Sequence, residues 1–201
     1  SKIVNDWIKK NDFDLIFHFA AIVPLNIVNK NKKYALSVNY HGTKNLINAI
    51  NNYTKKKVWF FFSSTSHVYA KGKIKVNEKS PKIPINYYGY TKLLAENYII
   101  KNKKNYEFCI GRIFSFSSIK QKKSFLIPSL VNKILISKNK NVYIENSSSV
   151  RDFLTVEEIC NAITKLAKKN KRGIYNICSS NGVEIIKIVN FLNRFKRKKI
   201  K

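Results

Sequence analysis

The 201-residue sequence contains no methionine, only six glycines and three cysteines, and just 11 acidic residues against 39 basic ones. The glycines (42, 72, 89, 111, 173 and 182) are isolated, which excludes a Gly-x-Gly-x-x-Gly turn or any other Gly-rich phosphate loop in these residues. Cys109, Cys160 and Cys178 are odd in number, lack Cys-x-x-Cys spacing and each lie in an apolar segment. They are expected to be free core thiols in a reducing compartment, not a disulfide framework. His18, His41 and His67 are too dispersed for zinc or iron ligation. Apolar runs are short, as in "VWFFF" (58–62), and none approaches the roughly 20 residues of a membrane-spanning helix. The N-terminal "SKIVNDWIKKNDFD" has no signal-peptide core. A soluble, cytoplasmic protein is expected. The absence of methionine implies either a removed initiator or a sequence that starts inside a longer one.

What is present is apolar and cationic. Hydrophobic residues make up 44% and aromatic residues 13%, enough for a globular domain with a core. The net charge of +28 attracts polyanions. Only five of the basic residues are arginine (112, 151, 172, 194 and 197), and the lysines are spread over almost every polar face. Base reading favours the planar arginine fork, so no nucleic-acid partner is expected. Abundant Lys, Asn and Ile match an AT-rich coding bias, and scattered lysines can still attract a small anionic substrate.

Strand and helix signals alternate. "DLIFHFA" (14–20), "VWFFFSS" (58–64), "FCIGRIFSF" (108–116), "NVYIE" (141–145) and "GIYNICS" (173–179) read as strands, the first two as buried ones. Helices are predicted from Leu36 to about Asn52, from Tyr87 or Tyr88 onward in "YYGYTKLLAENYIIKN", and after Pro128 in "FLIPSLVNKILI" (125–136). Two more are predicted over "TVEEICNAITKLAKK" (155–169) and "VEIIKIVNFLNRF" (183–195), with "RFKRKKIK" (194–201) as a solvated helix end. Such alternation implies an α/β fold with a largely parallel sheet.

One segment, "INYYGYTKLLAEN" (85–97), places Tyr88 and Lys92 four residues apart and so on one helical face; Tyr87 and Tyr90 are out of phase with the lysine. The helix dipole and the ammonium would both favour the phenolate, so the expectation is a Tyr88 pKa lowered for acid–base work on an alcohol or carbonyl. Taken alone, the spacing is a weak signal, and an ordinary amphipathic helix accounts for it better. Upstream, "FFFSSTSHVYA" (60–70) ends a strand in hydroxyls, placing Ser63, Ser64 and Thr65 at the carboxyl edge where such sheets bind ligands. A polar turn would look the same. "HFAA" (18–21) ends another strand in small residues, and Asn39 in "VNYHGTKNL" (38–46) stands near a helix start, where a cap is the plain role.

Together, "HFAA", "NYHGT", "SSTSHVYA" and "YGYTK", in this order, resemble the extended short-chain dehydrogenase/reductase family, the NAD-dependent epimerase/dehydratase group acting on nucleotide sugars. "GRIFSF" (111–116), "RDFLTVEEICNAI" (151–163) and "GIYNICSSNGVEI" (173–185) extend the resemblance over about residues 12–195. It implies a Rossmann-like doubly wound parallel sheet, incomplete at its N-terminus, and NAD or NADP as cofactor. It assigns Tyr88 as the catalytic acid/base, Lys92 to the nicotinamide ribose, and Thr65 to the sugar oxygen. By the same resemblance Ala20, Ala21, Ser63 and Asn39 line the cofactor, Phe114 and Ser115 flank nicotinamide and sugar, and Arg151 reaches the nucleotide diphosphate. Residues 1–118 are then a partial NAD(P)-binding region. Residues 119–201 are mostly a substrate-binding region with segments returning to the sheet.

Departures from the pattern narrow the activity. The family's Gly-rich turn is missing, so the sequence resembles a fragment of a longer protein, either part of an enzyme or a truncated, inactive or regulatory product of the same fold. Ser66 and His67 follow Thr65 where 4,6-dehydratases have Asp-Glu, which disfavours dehydration. Ser115 replaces the usual Asn, and Ala70 replaces the Gly that closes Val-Tyr-Gly. A nucleotide-sugar 4-epimerase or 4-keto reductase is the expectation, with a nucleotide-diphosphate sugar as substrate and a homodimer as the full-length form.

Overall fold

The computed structural model describes residues 1–70, 75–136 and 142–198, with side chains through Lys196. In chain order the elements are α1 (Lys2–Lys10), β1 (Leu15–His18), α2 (Leu25–Lys30), α3 (Lys32–Leu36), a π-helical segment (Ser37–Gly42) and α4 (Thr43–Tyr53). Then come β2 (Val58–Thr65), a 3₁₀ turn (Ser66–Val68), α5 (Tyr87–Lys101), β3 (Tyr106–Ile113), β4 (Ser115–Ser117) and α6 (Leu126–Val131), which runs into a second π-helical segment (Asn132–Ile136). β5 (Val150–Thr155), α7 (Val156–Lys168), β6 (Gly173–Ile177), β7 (Gly182–Glu184) and α8 (Ile185–Lys198) complete the chain. Two compact units result, Ser1–Ile113 with Ala162–Ile177, and Phe114–Asn161 with Cys178–Lys201.

The first unit is built on the sheet β1-β2-β3-β6, in which every pairing is parallel. β2 is buried along nearly its whole length, as an interior strand of a parallel sheet must be. Its alternate residues split between two faces. Val58, Phe60 and Phe62 join Ile16, Tyr106 and Ile110 in a core closed by Ile8 of α1, by Leu46, Ile47 and Ile50 of α4, and by Ala95 and Ile99 of α5. On the opposite face Phe17, Phe19, Trp59 and Phe61 form an aromatic layer with centroid separations of 5.6–6.3 Å.

A buried ion pair joins the sheet to α5. Arg112 of β3, fully buried, donates from Nε and Nη2 to the carboxylate of Glu96 on α5, the shorter bond to Oε2 being 2.7 Å. Ser64 Oγ of β2 donates to the same carboxylate. Arg112 Nη1 donates to the Tyr69 hydroxyl at 2.9 Å and to the Glu78 carbonyl at 3.1 Å. Tyr69 in turn donates to Asn176 Oδ1 of β6 at 2.6 Å, and the Asn176 N–H donates to the Glu78 carboxylate at 2.8 Å.

In the second unit β4 and β5 pair in parallel, and β5 and β7 are antiparallel. Leu130 and Ile134 pack on Ile185, Val189 and Leu192 of α8. α7 begins with a reciprocal cap: Glu158 Oε2 accepts from the Thr155 N–H and Thr155 Oγ1 accepts from the Glu158 N–H.

Several sequence expectations are corrected. Residues 142–145 form no strand, and Asn141 lies outside the described residues, as do Gly72 and the last three residues of the basic tail. α6 starts at Leu126, two residues before Pro128, because the first turn of a helix needs no N–H from its residues. Residues 182–184 pair with β5, so α8 starts at Ile185 and not at Val183. The 108–116 run is two strands, β3 and β4, and the helix expected from Leu36 carries a π-helical segment at its start. Cys160 is exposed and Cys178 half-buried; among the cysteines only Cys109 is a core thiol.

Glu96→Ala would strand the Arg112 charge and unpartner Ser64, a loss of about 3–5 kcal/mol in urea-unfolding stability. Replacing Glu96 and Arg112 together by apolar residues of similar volume is expected to recover most of that loss. A double variant as unstable as the single one would show that the pair is not the cause.

Candidate active site

Thr65 is the last residue of β2 and Tyr88 the second residue of α5. The helix starts there because Asn86, in extended backbone, accepts the Gly89 N–H on its side-chain Oδ1 at 2.8 Å. From that cap, Tyr88, Lys92 and Glu96 follow at four-residue intervals down one buried face. The Tyr88 phenol lies close enough to the Thr65 side chain for Thr65 to lower its pKa. Lys92 Nζ stands 4.0 Å from the centre of the Phe62 ring and makes no hydrogen bond among the described residues.

Burial dominates the electrostatics. It pushes the Tyr88 phenol up to about 12, and the neighbouring Thr65 side chain offsets only part of the rise. The lowered tyrosine expected from the sequence is therefore corrected: desolvating the phenolate outweighs the stabilisation that helix and lysine were expected to supply. The same burial brings Lys92 down to about 7, against the opposing field of Glu96. At neutral pH the site holds a protonated phenol one helical turn from an ammonium that is easily discharged.

His18, at the end of β1, is pushed down to about 4 by burial and, secondarily, by the Lys92 charge. Thr43 Oγ1 gives its proton to the Asn39 carbonyl at 2.7 Å, so at 2.9 Å from His18 Nε2 it accepts, and His18 is neutral with its proton on Nε2.

Asn39 is fully buried in the π-helical segment. Its Oδ1 accepts the Ile22 N–H at 2.7 Å, and its Nδ2 donates to the Ile22 carbonyl at 3.1 Å and to Thr91 Oγ1 at 3.0 Å. Thr91 in turn donates to the Tyr88 carbonyl at 2.8 Å. Asn39 thus ties the Ala20–Ala21 segment to α5, and both amide protons are used in doing so. Ala20 is exposed, Ala21 half-buried, and Ser63 is half-buried opposite Gly111. Phe114, Ser115 and Arg151 belong to the second unit. There Phe114 and Ser115 are half-buried and Ser115 pairs with Phe153, while Arg151, exposed opposite Val183, forms no ion pair among the described residues.

Sequence reasoning missed Glu96, Arg112, Thr91 and the pairing of Asn86 with His67. The first could have been found: Glu96 continues the 88–92 spacing, and an arginine inside "FCIGRIF" demands a buried acidic partner.

A family model described as GDP-mannose 4,6 dehydratase matches residues 1–200. This chain belongs to that family. The GDP-mannose 4,6 dehydratase family lies within the extended short-chain dehydrogenases/reductases. The GDP-6-deoxy-D-talose 4-dehydrogenase of Aggregatibacter actinomycetemcomitans is 29% identical over 192 residues, covering 94% of this chain and 64% of that protein. The UDP-glucose 4-epimerase of Mycoplasma genitalium is 31% identical over 169 residues, 74% of this chain and 49% of that protein. dTDP-D-glucose 4,6-dehydratases also match. The chain thus spans 44% to 64% of the length of these relatives. Among solved structures, UDP-glucuronic acid 4-epimerase from Bacillus cereus, in complex with UDP-glucuronic acid and NAD, superposes with a TM-score of 0.80 at 24% identity, over 95% of this chain and 61% of that one. At that identity the likeness establishes a shared fold.

Lys92 has its own pH signature. Folded, it releases its proton near 7; unfolded, near the ordinary 10.5. Between those values the unfolded chain binds more protons, so Lys92 makes stability rise with pH across that window. Lys92→Met is expected to flatten the rise, measured as urea midpoints at pH 7 and pH 9; equal slopes in both proteins would refute the shift.

Proposed function

We propose that this chain carries the catalytic portion of a nucleotide-sugar oxidoreductase acting at the sugar C4, as a 4-keto reductase or 4-epimerase. The observation that carries the reading is the Tyr88 phenol standing beside Thr65 at the carboxyl edge of a parallel sheet, with Lys92 one turn behind it. The relatives whose names specify C4 dehydrogenation or epimerisation support it. Ser66 and His67, in place of the Asp-Glu of the family's dehydratases, argue against 4,6-dehydration.

In this reading Tyr88 and Thr65 share the C4 oxygen of the sugar. A protonated Tyr88, with its phenol held up near 12, is the form that delivers a proton to a keto oxygen as it becomes an alcohol. Thr65 orients that oxygen, and a charged Lys92, one helical turn along α5, steadies the phenolate left behind. The residues fit the nicotinamide-ribose end of a dinucleotide: Lys92 offers an ammonium that no acceptor among the described residues takes, and the small residues Ala20 and Ala21 permit close approach. When bound, nicotinamide would supply or take the hydride. Asn39 acts in this reading by bracing the Ala20–Ala21 segment against α5. Ser63 is proposed to line the cofactor, Phe114 and Ser115 to flank nicotinamide and sugar, and Arg151 to reach the diphosphate.

Removing the phenolic hydroxyl tests the reading. In a protein bearing this chain, Tyr88→Phe is expected to lower kcat on a nucleotide 4-ketosugar by at least about 10²-fold, the usual scale of a positioned proton donor. Dinucleotide binding, followed by calorimetry, is expected to survive. Turnover close to that of the unmodified protein would exclude Tyr88 as the proton donor.

A further inference from the structure

The turn that follows Thr65 meets the start of α5 at His67. Its carbonyl accepts the Ile85 N–H at 3.1 Å. Its N–H donates to Thr65 Oγ1 at 3.3 Å, and the Thr65 side chain also acts on the Tyr88 phenol. Its ring meets the Tyr88 ring edge-on, with centroids 5.9 Å apart and planes at 84°. Gly89, the next residue of the helix, lies directly on the His67 carbonyl: a Cβ there would come within 2.2 Å of the oxygen.

The side chain of Asn86 completes the junction, and its orientation is dictated. Gly89 N–H can only donate, so the Asn86 atom facing it at 2.8 Å is Oδ1. Nδ2 therefore faces His67 Nδ1, at 2.9 Å. An amide nitrogen only donates, so Nδ1 is the acceptor, and neutral His67 carries its proton on Nε2. One asparagine thus caps the catalytic helix with its oxygen and grips the post-Thr65 turn with its nitrogen.

We propose that Asn86 and His67 are positioning residues that lock the Tyr88 phenol onto Thr65, the close seat of Gly89 on the His67 carbonyl setting the depth of the lock. The effect on turnover rests on the reading of Tyr88 as the proton donor; the lock itself does not. A plain helix cap would need only the Asn86 oxygen. Asn86→Ser separates the two roles, because a serine can cap Gly89 but is too short to reach the imidazole. Asn86→Asp also caps, yet offers His67 an acceptor, so Nδ1 must then carry a proton.

Long-range ¹⁵N spectra of the histidines in the whole protein are expected to show His67 with an unprotonated Nδ1, and Asn86→Asp to place a proton there. The ¹³Cζ resonance of Tyr88, assigned by its loss in Tyr88→Phe, is expected to move in Asn86→Ser. kcat is expected to fall about 10- to 100-fold in Asn86→Ser, the scale of an ångström-level misplacement, with the KM for the dinucleotide unchanged. Wild-type His67 protonated on Nδ1, or an Asn86→Ser protein with both the Tyr88 resonance and the kcat of wild type, would overturn the proposal. If the wild type reduces or epimerises no nucleotide sugar, it is the functional reading that fails, and the Tyr88 resonance alone decides whether the lock exists.

Discussion

A guanidinium with no exposed surface is expensive to bury, and its ligands dictate where five segments of this chain must lie. Arg112 collects Glu96 from α5, the Tyr69 hydroxyl beyond the β2 end and the Glu78 carbonyl from the loop before α5. Through Tyr69 and Glu78 it reaches Asn176 on β6, and through Glu96 it reaches Ser64 beside Thr65. Apolar packing alone tolerates small slides of a helix over a sheet. A fork of directional bonds does not, and this one sits beneath the residues whose mutual placement matters most.

Above that anchor the site is governed by exclusion of water. The environment that keeps the Tyr88 phenol protonated also strips Lys92 of most of its preference for charge. The two groups therefore approach neutrality from opposite sides. A site of this kind responds strongly to any ligand charge placed in it, because little solvent is present to screen that charge.

Much of this was legible in the sequence. The strand–helix alternation, the face shared by Tyr88 and Lys92, and the hydroxyl end of β2 follow from residue type and period, and each reports a local constraint. What stayed hidden depended on distant partners. The lowered Tyr88 pKa was inferred from neighbours along the helix, whereas the actual shift comes from burial by segments far away in sequence. "NVYIE" has strand composition but no pairing partner within the described residues of the fold. A β-propensity without a neighbouring edge does not make a strand. Residues 182–184 show the converse, short and polar at one end yet drawn into pairing by β5.

The π-helical segment Ser37–Gly42 has a meaning for the chain's history. A π turn is an α-helix holding one residue too many. That extra residue shifts the phase of everything before it relative to Thr43 and α4. In this phase Asn39 points inward to Ile22 and Thr91 while Thr43 still meets His18. Deleting any one residue between 37 and 42 would relax the segment to a regular helix and turn the preceding side chains by about 100° around its axis. This stretch therefore has a reading frame of its own in residue count, fixed by the need to meet Ile22, Thr91 and His18 at once.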